Sequence, residues 1–437
     1  MGKIIVIDDD PTGSQTVHGC LLLTRWDSSS LRSALADTAP LFFILANTRA
    51  LPAAAAADRL REIARGLREA LAASPSPDGY LLVSRSDSTL RGHYPLETDL
   101  LAEELGPFDA HFLVPAFFEG GRITHNGTHY LRQDGHLVPV HETEFARDAV
   151  FSFHHSYLPD YVEEKTKGRI PAAAVRVLRR ADLVEQGEAI LRGLRDNACV
   201  AVDAETPDDL ACFAAAVRAA QRAGKRFLFR SAASLLTALA DLPPQPVAPE
   251  AMGQFRRGTT PGVVLVGSHV RKSSEQLEVL LEEEGVAAIV VDVDRCQGEE
   301  RVAYQNAVLQ QCAAAYAQGQ DLVIYTSREE RRFASDTERL TFGEAVSRFL
   351  MEVLQGLPRD ISFLIAKGGI TSNDTLSTGL ALAMVRSMGQ ILPGCSLVLC
   401  PAEHPRFPNL PVVIFPGNVG DRDALALVRR RLRGAGA

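Results

Sequence analysis

Three acids in a row, Asp8-Asp9-Asp10, followed by Pro11, Thr12 and Gly13, are the first residues of the chain whose types suggest chemistry. Adjacent carboxylates repel one another, so such a cluster either holds a cation or accepts hydrogen bonds from ligand hydroxyls. The plain alternative is a solvated acidic turn in which an aspartate caps a helix. The cluster directly follows the apolar run 3–7. Ligands of open α/β sheets collect beyond the carboxyl ends of the strands, which favours a functional reading. A second set, Arg85-Ser86-Asp87-Ser88-Thr89-Leu90-Arg91-Gly92, again follows an apolar run. Guanidinium groups match a carboxylate through two parallel hydrogen bonds, and an aspartate accepts from hydroxyls. Together they suit a polyhydroxy acid; the alternative is a helix cap with a surface ion pair. Glu119-Gly120-Gly121-Arg122-Ile123-Thr124 follows a third run, and its glycines allow close backbone approach to a ligand.

The second half carries three glycine turns, each after a strand-like run and before a helical pattern. They are Gly267-Ser268-His269, Lys367-Gly368-Gly369-Ile370-Thr371 and Pro416-Gly417-Asn418-Val419-Gly420. A strand, a small-residue turn and a helix aim free amides at an anion. One such turn is routine; three in one half of a chain point to the phosphates of a nucleotide. The bland reading is that the glycines only permit tight turns.

Some chemistry is excluded. The sequence contains no GxxxxGK[ST] phosphate loop, and its only G-x-G is Gly434-Ala435-Gly436, so the dinucleotide fingerprint also fails. Eight of the eleven histidines lie between His93 and His155, but Asn126-Gly127 separates His125 from His129 and breaks a helical zinc face. No metal site is assigned. The seven cysteines lack a CxxC pair and read as reduced thiols.

The elements that must hold these residues alternate between short β-branched runs and amphipathic stretches rich in Ala, Leu and Arg. Strands are expected at 3–7, 41–46, 80–84, 111–115, 199–203, 226–229, 263–266, 287–291, 322–325, 362–365 and 412–415. Helices are expected at 53–73, 208–223, 275–284, 302–317 and 338–354. Such alternation predicts an α/β protein with largely parallel sheets flanked by helices. Five prolines between 241 and 261 predict an extended linker. This divides the chain into residues 1–240, the linker 241–261, and residues 262–437. Asn126-Gly127 and Asp134-Gly135 predict a β-hairpin excursion in the first part.

At 437 residues the chain is too long for one ordinary core. A hydrophobic fraction of 46% supports globular packing throughout, and a net charge of −8 offers no footprint for nucleic acid or an anionic membrane. The opening residues turn acidic too soon for a secretory leader, and the uncharged stretch 387–402 is too broken to span a bilayer. A cytoplasmic location is expected.

Taken together, these motifs resemble the four-carbon acid sugar kinase family, formerly a domain of unknown function and also labelled as Hrp-dependent type III effector-like. Asp9, Asp10, Thr12 and Gly13 match its DDxTG motif, and residues Asp87 to Gly92 match DSTLRG. Pro115-Ala116-Phe117, Gly121-Arg122 and Asn126-Gly127 resemble its PAFxxxGR…NG segment. Residues 142–148 and 203–206 resemble further blocks of the family. Gly267-Ser268 resembles its GS turn, Gly368, Gly369, Ile370 and Thr371 its GGxT loop, and Gly417, Asn418 and Gly420 its last glycine loop. The resemblance implies a sugar-acid-binding domain in residues 1–240 and a nucleotide-binding domain in residues 262–437. It also implies ATP as co-substrate with Mg2+, and threonate, erythronate or an oxo-tetronate as acceptor. The implied acceptor site comprises Thr12, Gly13, Asp87, Ser88, Arg91, Gly92 and Arg122, with Asp10, then Asp9, as catalytic base. The implied ATP site comprises Ser268, Gly368, Gly369, Ile370, Thr371, Gly417, Asn418 and Gly420. Proline at 416 stands where a lysine is commoner, which makes Lys367 or Arg271 the candidate phosphate cation. The rival readings are a hydroxy-acid dehydrogenase and a non-catalytic nucleotide-binding or effector protein. The sequence is compatible with a homodimer and does not specify one.

Overall fold

A computed structural model describes residues 2–10, 12–14, 16–74, 79–133, 135–328, 331, 333 and 335–434. The chain divides into two compact units, Met1–Pro244 and Gln245–Ala437.

The first unit is built on eight strands: β1 (Lys3–Asp8), β2 (Leu21–Leu23), β3 (Leu41–Leu45), β4 (Tyr80–Arg85), β5 (Ala110–Val114), β9 (Arg176–Leu178), β10 (Ala198–Val202) and β11 (Phe227–Ser231). Their order is β2-β3-β1-β4-β11-β5-β10-β9, and every pairing is parallel. Nearly unbroken apolar runs form these strands because helices cover the sheet. Those helices are α1 (Ser28–Ala36), α2 (Ala53–Ala73), α3 (Leu96–Leu105), α4 (Leu158–Lys165), α5 (Arg180–Gly193), α6 (Pro207–Arg222) and α7 (Ser234–Ala240). In α2 the buried positions Ala56, Leu60, Ile63, Ala64, Leu67 and Ala70 recur at helical spacing, which turns one stripe onto the sheet. Thr206 caps α6 in a reciprocal box with Asp209, and Pro207 fits the first turn, where its missing N–H costs nothing.

The excursion is a three-stranded antiparallel sheet, β6 (Arg122–His125), β7 (Thr128–Gln133) and β8 (His136–Pro139). Asn126 and Gly127, both with positive φ, close its first turn, as a two-residue hairpin requires. Asp134, half of the second expected turn, lies outside the described residues.

The second unit orders β13 (Val286–Val291), β14 (Asp321–Thr326), β12 (Val263–Val266), β15 (Leu364–Lys367) and β18 (Pro411–Phe415) in parallel. An antiparallel ribbon, β16 (Met384–Leu392) and β17 (Cys395–Leu399), continues the sheet from β18. Its helices are α8 (Arg271–Leu281), α9 (Arg301–Ala317), α10 (Asp336–Gly356), the short α11 (Gly369–Asp374) and α12 (Ala424–Arg433). The proline-rich stretch is partly ordered: a 3-10 helix at Pro249–Phe255 buries Met252 in the core of this unit. No described helix is long and apolar enough to cross a membrane.

Candidate active site and phosphate-binding loops

Four neighbouring strands of the first unit end side by side. Asp8 pairs in register with Leu45 of β3 and Arg85 of β4, and Arg85 pairs with Ser231 of β11. Backbone hydrogen bonds then lash the loops together: Asp9 N–H donates to Arg85 O (3.2 Å), Arg49 N–H to Asp9 O (3.1 Å) and Ser86 N–H to Ser231 O (2.8 Å). This brings Asp8, Asp9, Asp10 and Asp87 together with Arg49, Arg85, Arg91 and Arg230 at one sheet edge.

Arg49 is the hub. It forms ion pairs with Asp10, with Asp87 (3.2 Å) and with Asp9 (3.6 Å). Arg85 lies 3.4 Å from Asp8 and 3.8 Å from Asp9; Arg230 lies 4.0 Å from Asp9 and is anchored on Glu97 and Ser84. Among the described residues neither carboxylate oxygen of the buried Asp9 has a hydrogen-bond partner. Burial raises its pKa, while Arg49 pulls it back. Burial likewise pushes Asp8 up to about 8. Asp10 is different, with a quarter of its side chain exposed. Burial opposes its charge, but Arg49, Arg85 and two hydrogen bonds from Thr12 (2.8 Å from its N–H, 2.5 Å from its hydroxyl) outweigh it and hold the carboxyl below its usual range. Three adjacent acids are thus in two electrostatic states, the usual way that acid and base tasks are divided.

The other expected residues collect around this edge. Gly13 packs on Asp8, where a side chain would overlap the carboxylate. Asp87 accepts from Arg91 Nε (2.8 Å) and from Thr89, and it pairs with Arg49. Arg91 also faces Asp148 (3.6 Å) and lies over the Phe145 ring. Ser88 gives its carbonyl to the buried His129, which burial pushes down to about 4 and so keeps neutral. Gly92 lies against Arg230 and Asp9. Arg122 donates to Gly120 O (2.6 Å), and its Nε has no partner among the described residues. Ser86, Arg91, Arg230, Tyr94 and Tyr161 line a cavity of about 20 Å³ here, room for about one water.

Arg49, Glu97 and Arg230 were not picked out from the sequence. Arg230 carried a signal: an arginine inside the apolar run of β11 must be paired when buried. Arg49 sits four residues beyond β3, at the same sheet edge as the acids.

In the second unit the three glycine turns follow β12, β15 and β18, which are adjacent strands. They interlock. Gly368 N–H donates to Phe415 O (2.8 Å), and Ser268 N–H faces Lys367 O (3.4 Å). Ser273 Oγ donates to Gly417 O (2.9 Å) and lies 3.0 Å from Ser268 Oγ. Gln276 donates to Val419 O (2.9 Å) and Asp421 O (2.7 Å), which fixes the loop bearing Asn418 and Gly420. Gly368 has φ 122°, a backbone that L side chains avoid. Gly369 opens α11, Thr371 is buried against Gly267, and Ile370 is 61% exposed. Of the two candidate cations, Arg271 is 93% exposed and pairs with Glu275. Lys367 is fully buried, its Nζ donating to Pro416 O (2.6 Å) and Gly417 O (3.2 Å). Arg328, beyond β14, was not anticipated; it donates to Ser274 Oγ of α8 (2.6 Å), and its buried Nη1 has no partner among the described residues. Among the described residues no group of three or more His, Cys, Asp or Glu could hold a metal ion.

Residues 4–239 match the family of sugar-binding N-terminal domains, and residues 263–425 match that of nucleotide-binding C-terminal domains. The chain belongs to the four-carbon acid sugar kinase family. It is 31% identical over 218 residues to a D-erythronate kinase of Heliobacterium modesticaldum, an alignment covering 48% of this chain and 47% of that one. The chain therefore matches about half the length of that curated relative. Two solved structures share the fold over almost their full length. A protein of Salmonella typhimurium LT2 is 21% identical with a TM-score of 0.68, covering 99% of each chain. A Haemophilus influenzae protein of the DUF1537 family is 18% identical with a TM-score of 0.63, covering 98% of this chain and 100% of that one.

Proposed function

We propose that this chain is an ATP-dependent kinase that phosphorylates a hydroxyl of a four-carbon sugar acid: threonate, erythronate or an oxo-tetronate. The observation that carries the reading is the edge at β1, β3, β4 and β11, where ionised and proton-retaining carboxylates lie among guanidinium groups. A polyhydroxy acid needs both: cations for its carboxylate and acceptors for its hydroxyls. The carboxylate goes to Arg91, with Arg122 nearby, and the hydroxyls to Asp87 and Asp10. Thr12, Gly13, Ser88 and Gly92 shape the pocket.

Asp10 is the first choice for the base that takes the hydroxyl proton. It is reachable from solvent and stays ionised at neutral pH. Asp9 is the second choice; it is buried, and its raised pKa suits proton transfer near neutrality. ATP goes to the second unit, its phosphates on the turns at Ser268, 368–371 and 417–420. Mg2+ would neutralise charge on the nucleotide's phosphates, and no side chain of this chain is assigned to hold it. Phosphoryl transfer then depends on positioning and on neutralising the charge of the transferred group.

The test is a coupled assay of ADP release across threonate and erythronate isomers and their oxo forms. ADP release with one of these acids supports the reading. Hydroxy-acid-dependent reduction of a nicotinamide cofactor, without ADP release, would replace it with a dehydrogenase.

A further inference from the structure

Lys367 ends β15 in the middle of the second unit's sheet and has no exposed surface. Its Nζ donates to two carbonyls of the last glycine loop and lies 4.0 Å from the centre of the Phe415 ring. Among the described residues no carboxylate is within ion-pairing distance of it. A buried ammonium without an anion is expensive to keep. The surroundings supply none. From β17 the nearest titratable group is the Cys395 thiol, which burial keeps protonated. From α8 it is Lys272, a like charge, while Arg271 and Glu275 of that helix are paired with each other. Asp374 of α11 accepts from Ser347, and Arg429 and Arg430 of α12 are tied to Glu283. Lys367 nevertheless sits directly beneath the glycine turns proposed to hold the phosphates.

We infer that Lys367 is the buried counter-charge of the nucleotide phosphates, and that it takes up a proton from solvent when nucleotide binds. In the free protein the amine can stay neutral and still donate to Pro416 O and Gly417 O, so the loop keeps its shape. Burial, with Lys272 adding to it, lowers the group to about 7. An arriving polyphosphate favours the charged form and raises that value. The proton moves from water or buffer to Nζ, and no other bond changes. Affinity for nucleotide therefore falls as pH rises between the free and bound values, by up to about tenfold per pH unit. Lys367 is thus a positioning residue whose charge acts across the loop that its Nζ holds. It rests on the reading of the second unit as the nucleotide site.

The experiment is calorimetric titration of Mg·ADP into the full chain at about pH 8, in buffers of different ionisation enthalpy. The wild type should take up roughly 0.9 proton more than Lys367→Met, because a group titrating near 7 is mostly neutral at that pH. ADP's own titration is common to both proteins and cancels. Lys367→Arg, which stays charged, should bind ADP without the extra uptake. Equal uptake in wild type and Lys367→Met would overturn the inference and leave the nucleotide site intact. Absence of any ADP binding by wild type would instead remove the nucleotide reading and this inference with it. If Lys367→Met loses its folded circular dichroism spectrum, wild type alone decides. ADP affinity unchanged from about pH 7 to about pH 9 would refute the role.

Discussion

The two candidate ligand regions use opposite materials. The edge of the first unit is made of side-chain charge: Asp8, Asp9, Asp10 and Asp87 against Arg49, Arg85, Arg91 and Arg230. The edge of the second is made of main chain: glycine turns held by Ser273 and Gln276, with one lysine beneath. Side-chain charge reads the positions of hydroxyls and carboxylates and can move protons. Backbone amides read only negative charge, but at no rotamer cost.

Substitutions can break this contrast one side at a time. The largest effect is expected at Asp10. Asp10→Asn should lower turnover by about 10²–10⁴, the usual worth of a positioned base, while calorimetry finds ADP binding unchanged. The pH profile of kcat/KM then sharpens the assignment, because a base works only when deprotonated. If Asp10 is the base, activity persists as pH falls until below the ordinary carboxylate range. If Asp9 is the base, the acid limb lies above that range.

Arg49→Met should come next. It leaves Asp9, Asp10 and Asp87 without their shared cation, and removing one partner of a buried ion pair costs about 3–5 kcal/mol. Urea unfolding should show the loss, and the remaining activity should shift its acid limb upward.

Gly368→Ala tests the other region. A Cβ there would lie 3.0 Å from Ser268 Cβ, on a backbone of φ 122°. Strain of about 1–3 kcal/mol predicts ADP binding weakened by roughly tenfold or more, with sugar-acid binding to the first unit unaltered. The smallest effect belongs to Arg271→Ala. An exposed i,i+4 pair is worth at most about 0.5 kcal/mol, so ADP affinity should stay within roughly twofold.

Much of the fold was legible in the sequence. Helix α2 was expected at 53–73 and spans Ala53–Ala73. Strands such as β12 and β14 fell within a residue of their expected bounds. These elements were readable because burial on both faces, or on one helical stripe, writes its period into the chain. The ribbon β16–β17 was read only as an uncharged, broken stretch. Burial alternates along β16, but serine, glycine and glutamine interrupt the apolar code there. The short α11 also escaped, since six residues cannot display a helical period.

By itself the sequence determined the parts that local chemistry encodes. These are the alternation of strand and helix, the acidic and arginine motifs beyond β1 and β4, and the glycine turns beyond β12, β15 and β18. Tertiary structure alone decided which charges meet. Arg49 and Arg230 are far from Asp9 along the chain, and the parallel register of β1, β3, β4 and β11 draws them to one edge, where Glu97 of α3 meets Arg230. The same holds for the unequal acids at 8, 9 and 10. Their sequence positions are equivalent, but depth and neighbouring guanidinium groups are not, and those are properties of the packed molecule.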